Sequence, residues 1–386
     1  MPAITNVNDL QNISLDLAGN YYLANDIDAS GFGFVPLGTF IGILDGKLYK
    51  ITDLTITLNA AGVQEGALFE ENQGTIKNLG IEDCVISVTS TNNAARACAL
   101  VIDNRGTISN CWSSGIISAS CGATWAWGNG AGLVCTNNTS GSGTLIDCYS
   151  NVDVTVVSLG YAVAGGLVGI NYGDIDECYA NGDASADGGA TRPVYAGGLV
   201  GENGYDFADY EGIINNSFAR GNATAIGGAT NYAGGLVAEQ DNAASIITAA
   251  YSTGIPTGAD AAGGLCGVNT AGSITDCFWD TQTSGTAASD GGTGKTTAQM
   301  KTKATFTAVN WDFIIIWFIN GITNDGYPFF FAMPPDPLPD SPRRTVAVED
   351  KITLEAIRNV EMAAGGRFYV NEEGKAVYKS RFGRNP

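Results

Sequence analysis

The stretch "AGGLVGINYGDIDECYANG", residues 164–182, holds strand-forming residues broken repeatedly by glycine. Glycine inside a strand costs chain entropy and packs nothing, so its density needs a cause. Repetition supplies one. Taking Leu167 as origin, equivalent leucines stand at Leu68, Leu100, Leu133, Leu199, Leu236 and Leu265, at intervals of 29 to 37 residues. Four residues after each comes an amide: Asn72, Asn104, Asn137, Asn171, Asn203, Gln240 and Asn269. An aliphatic column follows: Ile76, Ile108, Leu145, Ile175, Ile214, Ile247 and Ile274. Three residues later stand Leu79, Cys111, Cys148, Cys178, Ser217, Ala250 and Cys277, and in six copies an aromatic residue comes next. Seven copies of this period signal a repeat architecture.

The columns predict an all-β, right-handed parallel β-helix, in which short strands stack like above like at about 4.8 Å. A buried Asn at a turn can then bond the Asn above and below it, satisfying a polar group that is otherwise costly to bury. Asn72, Asn104, Asn137, Asn171, Asn203 and Asn269 are therefore expected to form a ladder. Cys111, Cys148, Cys178 and Cys277 are expected to form a stack of buried, reduced thiols, because parallel side chains give poor disulfide geometry. Helical repeats do not fit, since no 3.6-residue periodicity runs through the copies.

Composition narrows the function. The net charge of −20 argues against nucleic-acid binding through phosphate contacts. With no His and no CxxC pair, a metal site is not expected, nor is any cofactor. The start of the chain shows no basic and apolar leader pattern. The apolar run "FIIIWFINGI" (313–322) is too short to span a bilayer, so membrane insertion is not expected. Charge changes along the chain: residues 1–342 carry 10 Lys and Arg against 33 Asp and Glu, whereas residues 343–386 carry 9 against 6. The expected organisation is an N-terminal cap and first coil (1–62), seven repeats (63–282), a closing cap (283–332), a Pro-rich linker (333–342) and a basic C-terminal segment (343–386). In that last segment Leu354 and Ile357 have helical spacing, and 367–380 reads as a strand, a turn and a second strand.

The repeats "AGGLVGIN" (164–171), "AGGLVGEN" (196–203) and "AGGLCGVN" (262–269) resemble the GLUG repeat family of bacterial and phage surface proteins. "LAGNYYLANDIDASG" (17–31) resembles the opening of such arrays, and "CFWDTQTSG" (277–285) through "DGYP" (325–328) resembles their closing segment. The likeness covers about 1–331 and implies a right-handed β-helix without implying one activity. It departs at "DGKLYKI" (45–51), and the first two copies lack the double Gly. Residues 363–380 resemble a helix–hairpin motif of tailed-phage tail and baseplate proteins. That resemblance implies a virion component anchored through 343–386, with Arg343, Arg344, Leu354, Ile357, Phe368 and Tyr369 as anchoring residues.

Other motifs weaken on inspection. "GGTGKTT" (291–297) evokes a phosphate loop, but the pattern needs Gly where Ser289 stands. "ANDIDASG" (24–31) hints at calcium through Asp26 and Asp28, yet Leu37 occupies the position of the closing carboxylate. An aromatic stripe is the best binding candidate. Trp125 and Trp127 share a face of an extended segment, Tyr161 matches Trp127 in its offset from Leu, and Tyr195 and Tyr232 share another offset. Such rings can stack on sugars. Their even offsets from an inward Leu nevertheless make a core position the simpler expectation. Without His, Ser–His and Cys–His catalysis is excluded, and no carboxylate pair stands out by spacing. The expectation is a non-enzymatic phage tail appendage, with other virion proteins, copies of itself or a host-surface glycan as partners. The alternatives are a bacterial cell-surface adhesin and a polysaccharide-degrading tailspike.

Overall fold

The computed structural model describes residues 1–137, 143–205 and 210–330, and the backbone of the strands Gly366–Val370 and Ala376–Ser380. These residues fall into two compact units, Met1–Met300 and Lys301–Pro386.

The first unit is a right-handed parallel β-helix. The Leu167 coil shows its construction. Tyr161–Gly165 enters a seven-stranded sheet, Val168–Asn171 an eight-stranded sheet and Asp174–Asp176 a ten-stranded sheet. Tyr179–Ala180 and Ala184–Asp187 enter a fourteen-stranded sheet. Each strand pairs in parallel with its counterpart one coil later, so that Asn171 faces Asn203, Ile175 faces Ile214 and Tyr179 faces Phe218. The stacked Leu and Ile columns fill one continuous apolar core.

The double glycine has two separate causes. A Cβ at Gly165 would collide with the Val168 carbonyl oxygen of its own coil, and Gly197, Gly234 and Gly263 repeat this against Val200, Val237 and Cys266. A Cβ at Gly166 would collide with the Gly198 carbonyl oxygen of the next coil. The first glycine permits the bend and the second permits the coils to stack. Elsewhere each coil turns through a residue with positive φ: Asn78, Asn110, Asp147, Glu177, Asn216, Ala249 and Asp276. Asn and Asp tolerate that conformation better than other residues with a Cβ, which explains most of this column.

The bend at Gly165 and Gly166 is re-entrant. Leu167 and Val168 both belong to the main core, whereas the outer faces of the two strands meeting there pack on each other. The result is a crease between the seven- and eight-stranded sheets, outside the main core. Ala67, Cys98, Ile102, Ala131 and Cys135 fill part of it, and Val163, Ile170, Tyr172, Tyr195 and Ala238 another. At the N-terminal end, the short helix Val7–Gln11 is capped by Asn6, whose side chain accepts from Asn8 and Asp9 N–H groups. Its Leu10, with Ile13, closes the core against water.

In the second unit Phe306, Trp311, Trp317 and Phe330 pack in succession at centroid distances of 4.7, 4.5 and 4.6 Å. Trp317–Phe318 pairs antiparallel with Phe329–Phe330. Gly366–Val370 and Ala376–Ser380 form an antiparallel pair with Phe368 opposite Tyr378 and Tyr369 opposite Val377. The linker at 333–342, Arg343, Arg344 and the helix expected around Leu354 and Ile357 lie outside the described residues.

Candidate functional site

The amide column is continuous through most of the solenoid. Asn72, Asn104, Asn137 and Asn171 each donate from Nδ2 to Oδ1 of the next Asn at 2.8 Å, and Asn203 donates to Gln240 Oε1 at 3.1 Å. Gln240 breaks the series. Its extra methylene carries the amide to the Ser245 and Ser273 carbonyls, and Asn269, in register with Gln240, bonds the Gly272 backbone instead. The thiols of Cys111, Cys148, Cys178 and Cys277 each donate to the carbonyl two residues earlier, at 3.1 to 3.4 Å. Ser217 fills the same column with the same bond, at 2.6 Å. All nine cysteines are free and buried, and burial pushes the Cys277 thiol up to about 12. These two columns are scaffold.

Phosphate and calcium readings find no geometry to support them. Thr293–Lys295 is a strand paired in parallel with Phe278–Asp280, and Lys295 Nζ lies over the Phe278 ring. Asp26 and Asp28 accept backbone N–H groups of Lys50 and Ser30 as turn residues. Among the described residues no cluster of His, Cys, Asp or Glu could hold a metal ion.

The expected core position is corrected for the two tryptophans of the aromatic stripe. Trp125 is 66% exposed and Trp127 44% exposed. The offset argument assumed one unbroken strand between ring and Leu. The bend before each Leu, at Ala131–Gly132 in the Trp127 coil and Gly165–Gly166 in the Tyr161 coil, resets the alternation, so an even offset from an inward Leu leads outward, and Trp125 lies in the turn ahead of the strand Trp127–Ala131. Trp127 and Tyr161 are strand neighbours with centroids 6.1 Å apart and planes at 45°. The Arg192 guanidinium lies over the Tyr161 ring at 5.1 Å, its Nη1 donating to the hydroxyl at 3.5 Å. Together they make an open aromatic ledge with a cation at its edge.

Tyr195 and Tyr232 lie elsewhere. They are strand neighbours in the crease, with centroids 5.8 Å apart, and Tyr195 is buried. Across from them, in register on the eight-stranded sheet, stand Glu202 and Glu239. Burial first, then repulsion from Glu239 and Asp241, pushes Glu202 up to about 8. Burial and Asp241 push Glu239 up to about 7, opposed by the Tyr195 hydroxyl. Tyr172 joins this group, and its ring packs on Tyr210 at 5.0 Å. The sequence sign of these acids is the position three residues after each repeat Leu, where Glu71, Asp103, Glu202 and Glu239 stand and the other copies have Thr136, Ile170 and Val268.

The family model for the GLUG motif matches residues 160–185, the coil that holds Tyr161 and Leu167. A protein of Evansella cellulosilytica, provisionally named a Gly-rich membrane protein, is 33% identical over 132 residues, 34% of this chain. Halomucin of Haloquadratum walsbyi is 34% identical over 96 residues, 22% of this chain. The matched parts make up 11% and 1% of those two relatives' own lengths. A solved IgA1 protease shares the fold with a TM-score of 0.50 over 93% of this chain and 27% of that one, at 14% identity. This chain is thus a parallel β-helix in which one coil, residues 160–185, matches the GLUG motif and the coils around it stack on it in register.

Proposed function

We propose that this chain is a surface-displayed binding module that engages carbohydrate through Trp125, Trp127 and Tyr161. The exposure of the two tryptophans carries the reading. Large aromatic faces left in water on a rigid scaffold are costly unless a ligand covers them, and such faces stack on the C–H surfaces of sugar rings. Arg192 at the edge would favour an acidic sugar. Surface display is supported by the relative named as a membrane protein; among the described residues no helix is long and apolar enough to cross a membrane.

The more specific form of this reading is a phage tail appendage. In it the basic segment 343–386, through Arg343, Arg344, Leu354, Ile357, Phe368 and Tyr369, joins other virion proteins or a second copy. The named membrane relative favours a second form, a bacterial cell-surface adhesin. Immunoblotting of purified particles against cell-wall fractions separates the two.

Paired Trp125→Ala and Trp127→Ala substitutions test the glycan contact. Retention on host-surface polysaccharide should weaken at least about tenfold, since each lost stacking face is worth roughly 1 kcal/mol or more. Circular dichroism should not change, because both rings lie outside the core. Undiminished retention would refute the contact. A reducing-end assay on the same polysaccharide reads cleavage directly, and new ends would replace binding by hydrolysis.

A further inference from the structure

We infer that the crease at Glu202 and Glu239 receives a guanidinium group, the side chain of an arginine on a protein partner. The fold itself contains the template. Along the seven-stranded sheet, Glu65, Arg96, Asn129, Val163, Tyr195 and Tyr232 form one register column. Facing it, Asp103, Thr136, Ile170, Glu202 and Glu239 form another on the eight-stranded sheet. In the Leu100 coil Arg96 fills the crease. Its two terminal nitrogens clasp both oxygens of Asp103, and it also reaches Glu65 at 3.1 Å and Thr136 Oγ1 at 2.7 Å.

In the Leu199 and Leu236 coils the carboxylates recur in the Asp103 column and the arginine does not. Glu202 is 7% exposed, and no described group donates a hydrogen bond to it. No described lysine or arginine pairs with either acid. The titratable groups that face them are Asp241, Tyr172, Tyr195, Tyr232 and the buried Cys266 thiol, none of them a cation. A buried carboxyl without a partner is costly. Tyrosine faces beside it attract an organic cation and offer little to a metal ion. A planar fork suits two carboxylates better than an ammonium does. Binding must also expel protons, because burial and mutual repulsion hold both acids partly neutral near neutral pH. Each carboxyl that pairs with the cation releases its proton to the solvent.

Calorimetric titration of the full chain with arginine amide tests this, with citrulline amide as the uncharged isostere and glucosamine as a carbohydrate source of positive charge. Arginine amide should saturate one site, more tightly at about pH 9 than at about pH 5, and release protons at neutral pH. Glu202→Gln should weaken binding at least about tenfold and remove most of the pH dependence. This variant mimics the protonated acid and should fold; Glu239→Gln is a second, independent probe. Glu211→Gln, an exposed acid, should leave binding unchanged and so exclude attraction to net charge. Equal binding of citrulline amide, tighter binding of glucosamine, absence of saturation, or indifference to both crease variants would each overturn the inference.

Discussion

Glu202 and Glu239 alter the proton balance between the folded and unfolded chain. Both carboxyls sit above their ordinary value of 4.5, at about 8 and about 7. The folded chain therefore holds more protons than the unfolded one between those limits, and stability falls as pH rises from about 4.5 to about 8, then levels. Melting temperature should decline through that window, and Glu202→Gln should flatten the decline; a rise toward pH 8 would contradict the assignment. Ala249 offers a second test. It holds φ 51° in a column otherwise mostly Asn or Asp. Ala249→Asn should raise stability by about 1 kcal/mol, read from denaturant midpoints. Single residues were legible only where repetition exposed them. The amide column could be read because the same letter recurs at the same place. Glu202 and Glu239 could not, because a strand glutamate reads as solvated until the crease is known.

Among elements, the bend and the ladder bear most on how one coil registers on the next. Asn171→Ala would remove both 2.8 Å ladder bonds, from the Asn137 amide and to the Asn203 oxygen, and leave the Asn137 amide only its longer bonds to the Gly143 and Asp174 carbonyls. The loss should be about 3 kcal/mol, whereas Asn269→Ala, at the half-buried end of the column, should cost about 1 kcal/mol. Equal losses, measured by urea unfolding, would show that stacking of amides adds nothing beyond local turn bonds. Strand existence and coil register were readable from the spacing of Leu, Asn and Ile. The direction of the aromatic stripe was not, because alternation carries across a strand but fails across a bend as sharp as that at Gly165.

For the whole molecule, the core is continuous through the coils of the first unit, so access to it is governed by opening of the solenoid rather than by local fluctuation. The nine buried cysteines of this unit report on it, six of them in that core and Cys98 and Cys135 in the crease. Native protein should react negligibly with a thiol reagent, and all nine should react together on denaturation; early reaction of a few would mark separable blocks. The repeats were visible in the sequence as recurring columns. The division at residue 300 was not, since contacts rather than composition define it.

Coils stacked in parallel register also fix distance. Trp127, Tyr161 and Pro193 begin successive strands of the seven-stranded sheet, and the Pro193 strand leads into the coil of Glu202. Trp127 in the ledge and Glu202 in the crease are thus two coils apart, about 10 Å along the axis. A partner touching both must match that span, and an inserted coil would lengthen it by one fixed step. The solenoid is in this sense a graduated scale, against which the proposed partner would be measured by its length as well as by its chemistry.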